Sequence, residues 1–339
     1  MRKNKAFAVC HLQPVLRALG VSAWESSVSE TSEFGVNGRR SQSRFCVGFT
    51  FGGLRAAKRL LAFFRILLLP PGAGFRLFEG MKPLLALLLV LGLCLGASAQ
   101  WTPGPGTRLE SAEGVEGLRR SVSREGRSAE VHLAVFSPKT FTLAVMDNPA
   151  GDWTLATAAQ KRGALAAVNG GYFHPDRTPL GLVVRQGREL HAMEKARLLS
   201  GLVYATPSQI GLVRVHEFKR PASLTAALQA GPFLVDGGRT VPGLNADRVA
   251  ARTVVFAEDS GRFGLLVCHA ATLAETAQIL ATPGLTGTGR RITRALNLDG
   301  GSSTGFWLRG TGGAAAISLP EGKEVRNYLA VVPRTEAAR

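Results

Sequence analysis

Two short stretches, Asn169-Gly170-Gly171-Tyr172-Phe173 and Asn297-Leu298-Asp299-Gly300-Gly301-Ser302-Ser303-Thr304, constrain this chain more than any other feature in it. Each follows a stretch, Ala164 to Val168 in one case and Ile292 to Leu296 in the other, that reads as a short buried strand. Both clusters are therefore expected where a strand runs out into a loop. The glycine pairs permit positive φ and close approach by a ligand or another backbone. Asn and Asp bring a carbonyl, an amide and a carboxylate, and Ser302, Ser303 and Thr304 bring hydroxyls. A lone Asp-Gly-Gly is most simply a tight turn whose Asp bonds its own backbone. A second copy of the pattern argues instead for one shared cleft, and for a fold that must bring two distant strand ends together.

The 339-residue chain carries a net charge of +17, which ordinarily raises nucleic acid or an anionic membrane as a partner. The charge is unevenly spread. Residues 1–80 hold clusters such as Arg39-Arg40 and Lys58-Arg59 against only Glu25, Glu30, Glu33 and Glu79, so much of the excess lies outside the motif region. At Met81-Lys82 the texture changes to an apolar run, Leu84 to Leu95, followed by Ala97-Ser98-Ala99. A positive start, an apolar core and a small-residue A-x-A site are the parts of a secretory signal peptide, and the run is shorter than the roughly 20 residues of a membrane span. Cleavage is expected after Ala99. Leu93 before Cys94 is not the small residue that a lipid-attachment signal wants, which favours soluble export. Because a signal peptide belongs at an amino terminus, residues 1–80 are expected to be upstream sequence read as protein. The alternative is a basic extension with a membrane-surface helix over Leu54 to Leu69. Of Cys10, Cys46, Cys94 and Cys268 only the last would survive processing, leaving no internal disulfide. A chain of the remaining length can form a core without one. No basic run with interleaved aromatics supports nucleic-acid binding.

Residues 100–130 begin Pro/Gly-rich and continue with Arg119, Arg120, Arg124 and Arg127 among Ser and Glu, so they are expected to be a tether or loosely packed leader. Residues 131–335 are expected to form one domain. Val131 to Phe136 and Phe141 to Met146 read as strands in a hairpin across Ser137-Pro138-Lys139-Thr140, and Thr154 to Arg162 reads as a helix ending at Gly163. Hairpins are expected around Gln186-Gly187, Asp236-Gly237-Gly238 and Glu258 to Gly261. A helix turn is expected over Ala222 to Leu228 and a clear helix over Thr272 to Leu280. Many strands in hairpins and few helices predict an α+β fold: one large, mostly antiparallel sheet system with its site at strand-end loops.

With Gln229-Ala230-Gly231-Pro232, Arg252-Thr253 and Arg326-Asn327 added to the two opening loops, the chain resembles the phosphodiester glycosidase family from Val131 to Pro333. That resemblance implies an exported hydrolase that cleaves the bond between a sugar's anomeric carbon and phosphate. A phosphomonoester leaving group, with a second pKa of about 6, scarcely needs protonation. The demands on the protein move to holding the phosphate charge and to stabilising or attacking the carbon. For the phosphate, Arg252 is the candidate clamp beside Thr253, with Arg326 as a weaker second cation. Backbone N–H groups of Gly300, Gly301 and Ser302, with Gly170 and Gly171, are candidates for a neutral anion nest. For the carbon, Asp299 is the candidate nucleophile or base and Asp176 the nearest second carboxylate, while His174 is a candidate acid or phosphate donor. Asn169, Asn297 and Asn327 are candidates to orient sugar hydroxyls, and Ser303 adds a hydroxyl. Tyr172 and Phe173 suit a core or platform role. No spacing of His, Cys and Asp resembles a zinc site, so no cofactor is expected, with Mg²⁺ or Ca²⁺ bound through phosphate and Asp299 left open. The expected partner is a sugar phosphodiester or a phosphate-containing envelope polysaccharide, with no nucleic acid and no membrane span after cleavage. The rival reading is a non-catalytic envelope protein that binds such a polysaccharide through the same cleft. It gains nothing from a carboxylate beside the anion, so Asp299 discriminates between the two.

Overall fold

The computed structural model describes residues 100–334, and the expected signal peptide and upstream segment lie outside the described residues. In chain order the elements are β1 (Thr102–Leu109), β2 (Val115–Arg124), β3 (Arg127–Phe136), β4 (Phe141–Asp147), α1 (Leu155–Arg162), β5 (Ala166–Asn169), β6 (Val183–Arg185), β7 (Arg188–His191), β8 (Gly201–Ala205), β9 (Ile210–Arg214), β10 (Ala226–Ala230) and β11 (Phe233–Asp236). They continue with β12 (Arg239–Thr240), β13 (Ala250–Glu258), β14 (Phe263–Ala271), α2 (Leu273–Leu280), β15 (Ile292–Asn297), β16 (Phe306–Arg309), β17 (Ala315–Leu319) and β18 (Asn327–Pro333). The strands form an eight-stranded sheet, β1-β2-β3-β14-β13-β15-β11-β12, and two five-stranded sheets, β7-β6-β10-β8-β9 and β17-β16-β5-β18-β4. Adjacent strands pair antiparallel throughout, and with only two α-helices among the described residues the fold is α+β.

Alternation within the long strands explains the packing. In β13, Val255 enters a central core shared by all three sheets, with Phe233, Leu228, Val168 and Leu329. Its neighbours Val254 and Phe256 face the opposite side, where Ala277, Ile279 and Leu280 of α2 cover them. Because both faces are buried, the strand reads as a continuous apolar run rather than an alternating one. Helix α1 covers the outer face of the sheet that holds β5, packing Leu155, Ala158 and Ala159 against Trp307 and Tyr328. Thr154 caps it by accepting the Thr157 N–H, and Gly163 ends it at φ 67°. A reciprocal capping box joins Thr272 and Glu275 at the start of α2.

Three expectations need correction. Residues 100–130 are not a tether. Strands β1 and β2 extend the large sheet, β2 pairing with β3 from Val115↔Phe136 to Arg124↔Arg127. Val115, Leu118 and Val122 are buried, while Arg124 and Arg127 cross to Glu275 of α2 and Arg124 stacks over the buried Trp101 at 5.0 Å. The arginines that look like a solvated leader are thus the charged rim of a strand with an apolar face. Strands β3 and β4 do exist, but they belong to different sheets, so Ser137 to Thr140 is a crossover and not a hairpin. The expected helix turn over Ala222 to Leu228 is instead the run into β10, a fully buried central strand between β6 and β8. The Gln186-Gly187 and Asp236-Gly237-Gly238 turns do close hairpins, with Gln186, Gly187, Gly237 and Gly238 all at positive φ.

Candidate active site

The large sheet and the β5 sheet meet at their strand ends, and there the two opening loops touch. Asn169, the last residue of β5, is fully buried. Its Oδ1 accepts from the Thr253 hydroxyl at 2.6 Å and from the Gly305 N–H at 3.2 Å, and its Nδ2 donates to the Asp299 carbonyl at 2.8 Å. The Asp299 N–H returns a bond to the Gly170 carbonyl at 3.1 Å, and the Leu298 N–H donates to the Thr253 carbonyl at 2.8 Å. Asn327, at the start of β18, accepts from the Gly170 N–H through its carbonyl and from the Gly171 N–H through Oδ1, both at 2.8 Å. A Cβ on Gly170 would lie 2.0 Å from that Oδ1, so only glycine admits this approach. On the other side Tyr172 donates its hydroxyl to the Gly231 carbonyl at 2.6 Å and accepts from Asn297 Nδ2 at 2.8 Å. Burial raises the Tyr172 pKa and the nearby Asp299 charge adds to it, so this hydroxyl stays a neutral donor.

Asp299 is the carboxylate of the cluster. Oδ1 accepts from the Gly300 N–H at 2.8 Å and Oδ2 from the buried Ser303 hydroxyl at 2.5 Å, within the short helical turn Gly301–Ser303. Burial raises its pKa, against the lowering influence of Ser303, the Gly300 N–H and the Lys323 ammonium. The turn approaches β13 closely: a Cβ on Gly300 would meet the Ala251 carbonyl at 2.9 Å. The N–H groups of Gly301 and Ser302 have no partner among the described residues. Asn297 Oδ1 and Asn327 Nδ2 are also buried without a protein partner. Either atom can be reached only by a ligand or water that enters the cluster.

With this geometry in view, the relatives can be compared. A sequence model described as phosphodiester glycosidase matches residues 162–332, half of the chain, from the end of α1 through β18. The chain belongs to the phosphodiester glycosidase family. The match contains both glycine-pair loops and every residue that joins them. An uncharacterized protein of Escherichia coli strain K12, YigE, is 27% identical over 93 residues, which are 25% of this chain and 37% of that protein. Among solved structures, the zebrafish N-acetylglucosamine-1-phosphodiester alpha-N-acetylglucosaminidase catalytic domain, auto-inhibited by its pro-peptide, aligns at 15% identity with a TM-score of 0.49. That alignment covers 68% of this chain and 88% of the zebrafish one. A hypothetical protein from Synechocystis aligns at 20% identity and a TM-score of 0.47, covering 67% of this chain and 64% of its own.

Within this phosphodiester glycosidase domain the expected site residues divide. Asp299, Asn169, Asn297, Asn327, Thr253, Ser303, Tyr172 and the four loop glycines come together, as the two loops imply. Asn169 does not present its amide to a ligand, because both of its polar atoms are spent on the protein. The same holds for the N–H groups of Gly170, Gly171 and Gly300, which reduces the expected anion nest to Gly301 and Ser302. Arg326 pairs with Asp147 and is not free for phosphate. Arg252 follows the strand alternation to the face opposite Thr253, where Nε donates to the Ala271 carbonyl at 3.1 Å and Nη2 to the Arg248 carbonyl. Its charge still reaches the Tyr172 hydroxyl, but Nε and Nη2 are engaged by backbone carbonyls. Asp176 is exposed in a turn where its Oδ1 takes the Thr178 N–H at 2.9 Å, the bond that chiefly holds its pKa low, and His174 is exposed beside it. Ser302 is an exposed rim residue whose carbonyl accepts the Gly322 N–H at 2.8 Å. Sequence reasoning missed Lys323, which in sequence is one exposed lysine in an ordinary Glu-Gly-Lys-Glu turn.

Among the described residues no three His, Cys, Asp or Glu side chains converge as a metal ion requires, and no helix is long and apolar enough to cross a membrane. A groove of about 860 Å³ runs along β4, lined by Trp153, Lys161, Arg185 and Arg334 among others. It shares no residue with the cluster. Cys268 is buried and its thiol is pushed up to about 12, so it is not a nucleophile.

Proposed function

We propose that this chain is an exported hydrolase that cleaves the bond between an anomeric carbon and phosphate in a glycosyl phosphodiester, and that Asp299 acts on the carbon. One observation carries this reading. The half-buried carboxylate of the loop cluster, in a phosphodiester glycosidase domain, sits on a turn fixed to β5, to β13 and to the loop between β17 and β18 by hydrogen bonds. A carboxylate that burial makes more basic than an ordinary Asp suits the work of a base toward water, or of a nucleophile toward an oxocarbenium-like carbon. The departing phosphate needs little protonation, so a partner acid is dispensable. The exposed Asp176 and His174 are not required for the step. Tyr172, held neutral between Asn297 and Gly231, supplies a wall of the site near Asp299, whose carboxylate is bonded by the Gly300 N–H and the Ser303 hydroxyl.

Export rests on the Met81 to Ala99 sequence pattern, and the setting it implies is the cell envelope or the exterior. The natural substrate is then a phosphate-linked envelope polysaccharide or a smaller sugar phosphodiester. Purified protein incubated with methyl phosphodiesters of glucose, mannose, galactose and N-acetylglucosamine, each as both anomers, tests the reaction. Release of free sugar and methyl phosphate from at least one is the expected result. Binding without release across the panel would favour the non-catalytic polysaccharide-binding reading.

A further inference from the structure

The loop between β17 and β18, residues 320–326, forms one rim of the site and is tied down at nearly every residue. Glu321 Oε1 accepts from the Leu155 N–H at 2.8 Å and from the Tyr328 hydroxyl at 2.9 Å. The Gly322 N–H donates to the Ser302 carbonyl at 2.8 Å, which fastens the loop to the turn that carries Asp299. The Val325 carbonyl accepts from Asn148 Nδ2 at 3.0 Å and Arg177 Nη2 at 3.1 Å, Glu324 meets Arg177 Nη1 at 3.4 Å, and Arg326 pairs with Asp147. Lys323 is the exception. It is exposed, no carboxylate lies within salt-bridge distance of it among the described residues, and its Nζ rests 4.9 Å from the ring centroid of Phe173. Phe173 ends the first of the two loops, so the ammonium stands on that loop while its charge acts on the Asp299 carboxylate of the second.

We infer that Lys323, seated on Phe173, is the cation that receives the substrate's phosphate. The inference rests on the phosphodiester reading above and names the group behind its specificity. The other cations near the cluster are engaged. Arg252 is held by two carbonyls on the far side of β13, Arg326 by Asp147, and Arg177 by the carbonyls of Asn148, Pro149 and Val325 together with Glu324. An aromatic face holds an ammonium loosely, through the ring quadrupole, and leaves its N–H donors free to turn toward an anion. The loop below is rigid, so the charge arrives pre-positioned and little ordering is needed on binding. A phosphate there lies beside Asp299 and not on the far side of the sheet, as the bond to be cleaved requires.

The test compares the wild-type chain with Lys323→Met and Lys323→Arg, variants at an exposed position that leave the thermal midpoint unchanged. On the best methyl glycosyl phosphodiester, Lys323→Met is expected to raise KM roughly tenfold or more, the effect of losing a charged contact. Inhibition by inorganic phosphate should weaken by a similar factor. The rise in KM should be several-fold larger on the phosphodiester than on the uncharged nitrophenyl glycoside of the same sugar, and Lys323→Arg should restore most of the loss. Unchanged KM and unchanged phosphate inhibition in Lys323→Met would overturn the assignment. Should the wild type cleave no phosphodiester, the functional reading fails separately. Calorimetric binding of inorganic phosphate to wild type and Lys323→Met then decides the lysine's role: weaker binding by the variant upholds it, and equal binding or none by either protein rejects it.

Discussion

The two glycine-pair loops, one following Asn169 and the other Asp299, look alike in sequence and do opposite work. In the first, Asn169 spends both amide atoms on Thr253, Gly305 and Asp299, and both glycine N–H groups go to Asn327. Neither the Asn169 amide nor a glycine N–H is left over, and the loop acts as the clasp between two sheets. In the second, the backbone is anchored by that clasp, while the Asp299 carboxylate is only half buried and the N–H groups of Gly301 and Ser302 remain unpartnered. The lesson is that a polar motif is reactive according to what its atoms have left to give. Composition alone does not distinguish the two, whereas the hydrogen-bond ledger does.

The comparison can be broken most sharply at the glycines. Gly170→Ala puts a methyl 2.0 Å from Asn327 Oδ1 and 2.9 Å from the Asn327 carbonyl oxygen, and neither buried group can retreat. We expect a loss of more than about 4 kcal/mol, the extreme of single-site effects, seen as a collapsed thermal transition by circular dichroism. Gly301→Ala meets open space and suffers only its φ of 63°, so it should cost about 1–2 kcal/mol and leave a cooperative transition. Equal losses at the two sites would contradict the division of labour.

Asn169→Ala comes next. It strands the Thr253 hydroxyl and the Gly305 N–H and frees the Asp299 carbonyl, so roughly 3 kcal/mol of stability should go, together with activity. A stable but inactive Asn169→Ala chain would instead make Asn169 a ligand-facing residue.

A smaller effect appears in pH. Burial raises the Asp299 pKa above the ordinary value of about 3.9, so the folded chain holds that proton more tightly than the unfolded chain does. Its stabilising contribution is full below the unfolded value and is lost as pH rises through the folded one. The thermal midpoint of wild type should therefore fall relative to Asp299→Asn as pH rises above about 4. Parallel midpoints across that range would mean that the carboxylate is not perturbed. The least effect is expected at Glu217, whose pKa the Arg294 hydrogen bond lowers to about 2. That pair is largely exposed, and Glu217→Gln should shift the midpoint only slightly, with the wild-type advantage present above the ordinary Glu value and lost as pH falls toward 2.

Much of this was legible in the sequence. The hairpins at Gln186-Gly187 and Asp236-Gly237-Gly238 follow from residues that accept positive φ, and the capping box Thr272/Glu275 marks the start of α2. The meeting of the two loops follows from their shared pattern. What was hidden has physical causes. Strand β2 carries its apolar residues at Val115, Leu118 and Val122 among arginines whose partners are Glu130 on the next strand and Glu275, far away in sequence. Strand β10 is buried on both faces, so Ala222 to Leu228 shows neither period clearly. At the site, Arg252 looked like a clamp because its type fits phosphate, yet strand alternation turns it away from Thr253. Lys323 gave no signal because only the folded loop sets it over Phe173.

The measurement that bears most directly on the whole account is the turnover of Asp299→Asn, with its affinity for the same glycosyl phosphodiester measured by calorimetry. The variant keeps the shape of the turn and deletes the charge. We expect a cooperative fold, binding as tight as wild type or tighter, and turnover lower by at least about 10²-fold. Near-wild-type turnover from a folded Asp299→Asn chain would contradict the account, and would return Asp299 to the role of a turn residue that bonds Gly300 and Ser303.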